Sequence, residues 1–214
     1  LQTNPTFAQP LMDAAYHDQW ARRLAAGDWL GREVFFRAPL YPYCLGGLYA
    51  VFGPNPVAVR VVQFVLGALT CALTCLLGWR VAGRAVGLLA GLGAAAYGPL
   101  IYFDGELLLP VLETLFGTAL VLALAGALES SMSQPPVPSA IPNGRPVPAS
   151  RRPWVAAGLL LGLFAITRPN ILAFLPVLVV YLVVRLGLRR AVAPGAALVV
   201  ATALVIAPVT IRNA

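Results

Sequence analysis

Apolar residues fall in long unbroken blocks separated by short polar stretches, with no alternation at strand period. A helix needs about 20 apolar residues to cross roughly 30 Å of hydrocarbon. Six blocks predict spans, over residues 57–79, 85–103, 107–128, 154–167, 170–188 and 192–211. The block 154–167 is lean, since at ~1.5 Å per residue it reaches only ~21 Å. Residues 38–52 are apolar but short and interrupted by Pro42, which predicts an interfacial or re-entrant helix. Residues 13–27 read as an amphipathic helix on the membrane surface, with Tyr16, Trp20 and Leu24 recurring every four positions as an apolar ridge. Asp13 is placed to cap that helix and Gly27 to end it. Residues 129–153, rich in Pro and Ser, read as a solvated linker.

The predicted fold class is therefore all-α, a polytopic transmembrane helix bundle with an amphipathic helical loop on its outer face. Residues 1–56 form that loop, and 57–128 form three spans joined on the outer side by a short turn at 104–106. After the linker, 154–214 form three more spans. Gly67, Gly78, Gly87, Gly91 and Gly98 are expected to let neighbouring helices approach closely.

Composition agrees with this reading. Of 214 residues, 59% are hydrophobic and 11% charged, and the mean hydropathy is +0.81, whereas a soluble domain carries about 25% charged residues. The chain starts at Leu1, and residues 1–36 lack the apolar core of a signal peptide. It is expected to be a piece of a longer protein lacking at least one N-terminal span. All 15 basic residues are Arg. Eight of them (Arg80, Arg84, Arg145, Arg151, Arg152, Arg185, Arg189, Arg190) share one side, which predicts that side to be cytoplasmic. The basicity is topogenic, so no nucleic-acid partner is expected. Cys44, Cys71 and Cys75 show no metal-binding or disulfide spacing.

In this topology seven of the eight acidic residues face outward: Asp13, Asp18, Asp28, Glu33, Asp104, Glu106 and Glu113, with Glu129 opposite. An ionisable group near hydrocarbon costs at least ~2.5–3.5 kcal/mol at a helix centre and is usually retained for a task. Asp13 stacks beneath His17, with Tyr16 beside them, and Asp18 can pair with Arg22 four residues on. This group either does chemistry or consists of a simple cap and a solvated histidine. Asp104 and Glu106 either line an active-site cavity or anchor helix ends, and the same choice holds for Glu113. Arg168 interrupts the apolar run from 154 to 184. It either receives a lipid phosphate, pairs internally with Asp104 or Glu113, or snorkels. Arg37, among aromatic residues, is a further candidate for a lipid phosphate.

Six short words, in order, resemble the C-type integral-membrane glycosyltransferases, in particular the family 39 group of protein O-mannosyltransferase and aminoarabinose transferase relatives. They are Asp13-Ala14-Ala15-Tyr16, Ala26-Gly27-Asp28-Trp29, Phe36-Arg37-Ala38-Pro39-Leu40-Tyr41, Phe103-Asp104-Gly105-Glu106-Leu107-Leu108, Thr167-Arg168-Pro169-Asn170 and Pro208-Val209-Thr210-Ile211-Arg212-Asn213. The resemblance implies transfer of a sugar from a polyprenyl-phosphate donor to a protein, lipid or glycan acceptor at the outer face of a bacterial inner membrane. It implies Asp13 as catalytic base, Asp104 or Glu106 as a second acidic position, and Arg37 on the donor phosphate. From the residues, Arg168 joins Arg37 there, and Tyr16 and His17 complete the substrate-binding set. The family often has adjacent Asp-Glu where this chain has Asp13-Ala14, which leaves the second carboxylate's role and a divalent cation open. A secondary transporter or lipid flippase is the alternative, because recessed charge at a helix interruption also builds transport sites. A non-catalytic scaffold subunit is the third reading.

Overall fold

The computed structural model describes residues 10–31, 34–132 and 151–214. Arg32, Glu33, Arg145 and linker positions 133–150 lie outside the described residues. The described secondary structure is helical: α1 Met12–Ala25, α2 Leu40–Phe52, α3 Pro56–Ala82, α4 Arg84–Ala95, α5 Gly98–Gly105, α6 Pro110–Met132, α7 Arg152–Ala165, a 3-10 turn Pro169–Ala173, α8 Phe174–Leu186 and α9 Leu188–Asn213.

Local chemistry sets several of these boundaries. The Asn55 side chain accepts from the Val57 and Ala58 amides at 3.0 and 3.3 Å, and Pro56 opens α3 without needing a donor. Gly83, at φ +92°, divides α3 from α4 in a conformation that glycine adopts without steric cost. The predicted block 85–103 is two helices, α4 and α5, bent by 51° where Pro99 starts a new helix. Asp104 accordingly sits inside α5 and not in a loop. The ends of the predicted linker, 129–132 and 152–153, are helical.

Four helical segments are long and apolar enough to cross a membrane, five if α4 and α5 form one broken span. The other predicted span, 154–167, is the 14-residue α7. Side chains such as Leu89, Val184 and Leu204 project outward from the helices, 66–75% exposed. In water they would be a liability, and in lipid they are solvated. This is a multi-pass helical membrane architecture.

Close backbone approach organises the bundle. α3 packs along α4, and α7 along α9. A side chain at Gly87 would lie 2.5 Å from the Cys75 carbonyl oxygen, and one at Gly158 would lie 2.5 Å from that of Leu198. With hydrocarbon outside, such contacts hold helices together by van der Waals packing. Gly98 was expected to serve the same purpose but faces open space.

Contacts divide the bundle into two ends. Arg60 Nε donates to the Gly105 carbonyl at 2.9 Å, and Gln63 Nε2 to that of Glu106 at 2.8 Å. These bonds join the start of α3 to the α5–α6 turn. α1 and α2 close over this end, with Ala14, Ala21, Tyr41 and Leu45 packed against Val59, Leu107 and Val111. At the opposite end Ala127, Trp154, Leu182 and Ala191 form an apolar cluster beside the Arg80–Glu129 pair.

Candidate functional site at the acidic end

The face α1 buries is set by Ala14, His17, Ala21 and Leu24, which lie on one stripe at helical spacing. α2 receives it at Gly46, whose missing side chain leaves room for Leu24 Cβ. The expected ridge of Tyr16, Trp20 and Leu24 is turned largely into the protein. Its last two members are buried in protein, and α1 is docked on α2. The predicted Asp18–Arg22 pair forms at 2.8 Å, and Asp18 also accepts from Tyr49 Oη of α2 at 2.5 Å.

Asp13 does not cap α1. Leu11 occupies the cap position, and no side chain bonds there. Asp13 is instead half exposed and ion-paired with Arg37 across 2.9 Å. Arg37 in turn lies over the Tyr16 ring, 5.2 Å from its centroid. The bond from the guanidinium holds the Asp13 carboxyl below its ordinary range. Gly27, with φ +103°, lies two residues past the end of α1 and directs the chain into the 28–31 turn.

His17 is fully buried, not solvated, and neither ring nitrogen has a protein hydrogen-bond partner. Tyr16 and Tyr41 pack edge-on against it at 5.7 and 5.2 Å. Burial lowers its pKa from 6.5 to about 4, Arg37's charge adds to that, and Asp13 opposes it. The imidazole is thus neutral at physiological pH.

Of the internal pairings considered for Arg168, the structure contains the one to Glu113, at 3.0 Å. Asp104 is in a different setting. It is 9% exposed and lies against Gly67, where an added Cβ would come within 1.9 Å of its Oδ2. It lines a cavity of about 200 Å³ among α3, α4, α5 and α6, together with Thr70 and Thr114. Glu106 is buried beside the α3 start, at the foot of the lid made by α1 and α2. The seven predicted site residues therefore form three groups: Asp13, Tyr16, His17 and Arg37 on and under the lid; Arg168 with Glu113; and Asp104 in the last turn of α5 with Glu106 just after it. Among the described residues, no three His, Cys, Asp or Glu side chains converge as a metal site.

Tyr16, Trp20, Trp29, Phe35 and Tyr43 surround a pocket of about 420 Å³ that also takes in Arg23, Asp28 and Arg212. The visible signal was the density of aromatic residues between positions 29 and 43. No protein-family model, curated protein or solved structure matches the chain.

Proposed function

We propose that this chain is part of a membrane glycosyltransferase, which moves a sugar from a polyprenyl-phosphate donor to a protein, lipid or glycan acceptor at the membrane face bearing the acidic end. The observation that carries this reading is the partly exposed Asp13–Arg37 pair, whose guanidinium lies over the ring of Tyr16, a residue that lines the aromatic pocket. In the transfer, Asp13 takes a proton from the acceptor nucleophile, which attacks the anomeric carbon. The bond from that carbon to the phosphate oxygen breaks, and polyprenyl phosphate leaves with the electron pair. Cations must meet the charge that develops on the leaving group.

The pair suggests how the base is switched on. While Arg37 holds Asp13, the carboxylate is a weak base, far from the pKa that general-base catalysis favours. A donor phosphate competes for Arg37 because its oxygens match the guanidinium fork. Once Arg37 turns to the phosphate, Asp13 loses its largest stabilising contact and becomes more basic. Donor binding and base activation are then one event. Arg168 assists if it leaves Glu113 in the same way.

The transporter or flippase reading draws on the bend between α4 and α5 and on the carboxylate of Asp104 in its intrabundle cavity. Membranes carrying the full-length parent separate the two. Transfer from polyprenyl-phosphate sugars that falls in Arg37→Ala/Arg168→Ala, through a raised KM for donor, supports the enzyme. Uptake into sealed vesicles without transfer to any acceptor overturns it.

A further inference from the structure

Among the described residues, every carboxylate but one is met by a protein partner. Asp13 has Arg37, Asp18 has Arg22 and Tyr49, Glu113 has Arg168, and Glu129 has Arg80. Asp28 accepts from the Gly31 amide, and Glu106 is engaged as well. Asp104 is the exception. It is 9% exposed, yet no hydrogen bond or ion pair from the described residues reaches it. Nor does a basic side chain line the cavity of about 200 Å³ that it borders, among those residues. A carboxylate buried without a counter-charge costs heavily, so this one needs a positive charge from elsewhere.

The rest of the cavity offers acceptors. Thr70 of α3 donates its hydroxyl proton to the Leu66 carbonyl at 3.0 Å, and Thr114 of α6 donates to that of Pro110 at 2.9 Å. With those protons committed, each hydroxyl oxygen has lone pairs left to give. The break between α4 and α5 adds to this. Ala94 and Ala95, the last residues of α4, line the cavity at the negative end of that helix. Pro99 has no N–H to offer the Ala95 carbonyl four residues before it. Apart from the Cys71 thiol, the other lining side chains are apolar. Helix breaks with free carbonyls are a known way to hold a small cation between membrane helices.

We propose that this cavity binds a sodium ion on the Asp104 carboxylate, with the Thr70 and Thr114 oxygens and water filling its shell. Charge sets the valence. One carboxylate among neutral oxygens balances one positive charge, and a divalent ion would leave an excess charge between apolar helices. Ligand type excludes the softer metals, which favour imidazole and paired thiolates. Volume sets the size. At about 30 Å³ per water, the cavity has room for an ion and a few waters, and it is smaller than the pockets that hold organic ligands. The bound ion ties α3, α5 and α6 together at the point where the α4–α5 span is broken. The proposal is independent of the transfer reading, because a transferase could use the ion to hold this break and a transporter could couple to it.

The test is melting of the solubilised full-length parent in sodium chloride against choline chloride at equal ionic strength, joined to direct binding of radiolabelled sodium. The melting temperature is expected to rise with sodium by about 2–4 °C for each tenfold increase above the dissociation constant. Asp104→Asn keeps the side chain's shape and removes its charge. It should abolish both the rise and the binding, and it should melt higher than wild type when only choline is present. Thr70→Val keeps the carboxylate and should weaken sodium binding about tenfold, which decides the matter if Asp104→Asn does not fold. Glu129→Gln, at the opposite end, should leave the sodium effect intact. An equal rise in choline, a sodium response that survives in Asp104→Asn, or unchanged binding in Thr70→Val overturns the site. A larger rise with magnesium than with sodium overturns the monovalent assignment. No response to sodium in wild type would mean that a proton neutralises Asp104, and would overturn the proposal.

Discussion

The two ends of the bundle are held by different chemistry. At the end bearing Arg80, the described residues form an apolar cluster around Trp154, whose Nε1 donates to Ser131 at 3.1 Å, with the Arg80–Glu129 pair on the outside. The acidic end has an apolar cluster of its own and adds to it charged or polar contacts that are individually placed: Asp13–Arg37, Asp18–Tyr49, Glu113–Arg168, Arg212–Leu30. That end also buries an imidazole whose two nitrogens have no protein partner. Leaving a polar group buried and unsatisfied costs about 1–3 kcal/mol, so an end optimised for stability alone would not keep one. The first end is built to stay shut. The second keeps charges within reach of solvent, and pockets beside them.

The largest expected effect falls on the apolar end. Trp154→Ala, at a side chain 1% exposed, should cost about 3–5 kcal/mol. Thermal unfolding of the solubilised protein reads this, and sugar transfer below the melting range should be unaffected. A comparable loss from truncating the exposed Arg37 would erase the contrast.

Next comes pH. His17 has a folded pKa near 4, below the 6.5 of the unfolded chain. The unfolded state therefore takes up the proton first. The contribution is fully present above about pH 6.5 and is lost as pH falls towards 4, up to about 3 kcal/mol in all. Melting followed from pH 7 to pH 4 should show the acidic end loosening, with α1 amides exchanging hydrogen before those of α7. His17→Leu should flatten that dependence. An unchanged pH profile in the variant would place the proton elsewhere.

Smaller again, Tyr49→Phe removes a hydrogen bond to the buried Asp18 carboxylate and should cost about 1.5–3 kcal/mol, read from the same melts. Arg80→Gln, at an exposed pair on the other end, should change stability by no more than about 1 kcal/mol. A larger cost at Arg80 than at Tyr49 would reverse the ranking of the two ends.

Much of the architecture was legible because hydrocarbon imposes block patterns that hydropathy reads directly. Pro99 was in plain view, yet its bend was not anticipated, since prolines are tolerated within membrane helices and Pro194 and Pro208 lie inside α9. The burial of His17 could not be read from spacing. Its position fits a solvated face as well as a packed one, until α2 is known to cover α1. The Asp13–Arg37 bond joins α1 to a residue ahead of α2, which no helical periodicity relates. Arg168–Glu113 was among the pairings considered, but proximity across helices had to decide it. The aromatic pocket is not legible in the sequence, because its rings come from α1, the 28–35 stretch and α2, which no single periodicity relates.

The central claim is that the acidic end holds the transfer chemistry, with Asp13 as base. The most direct measurement is sugar transfer from radiolabelled polyprenyl-phosphate donors by membranes carrying the full-length parent, wild type against Asp13→Asn. Loss of a general base lowers the rate by typically 10²–10⁴-fold. A fall in that range is the predicted result. Transfer at the wild-type rate in Asp13→Asn would contradict it.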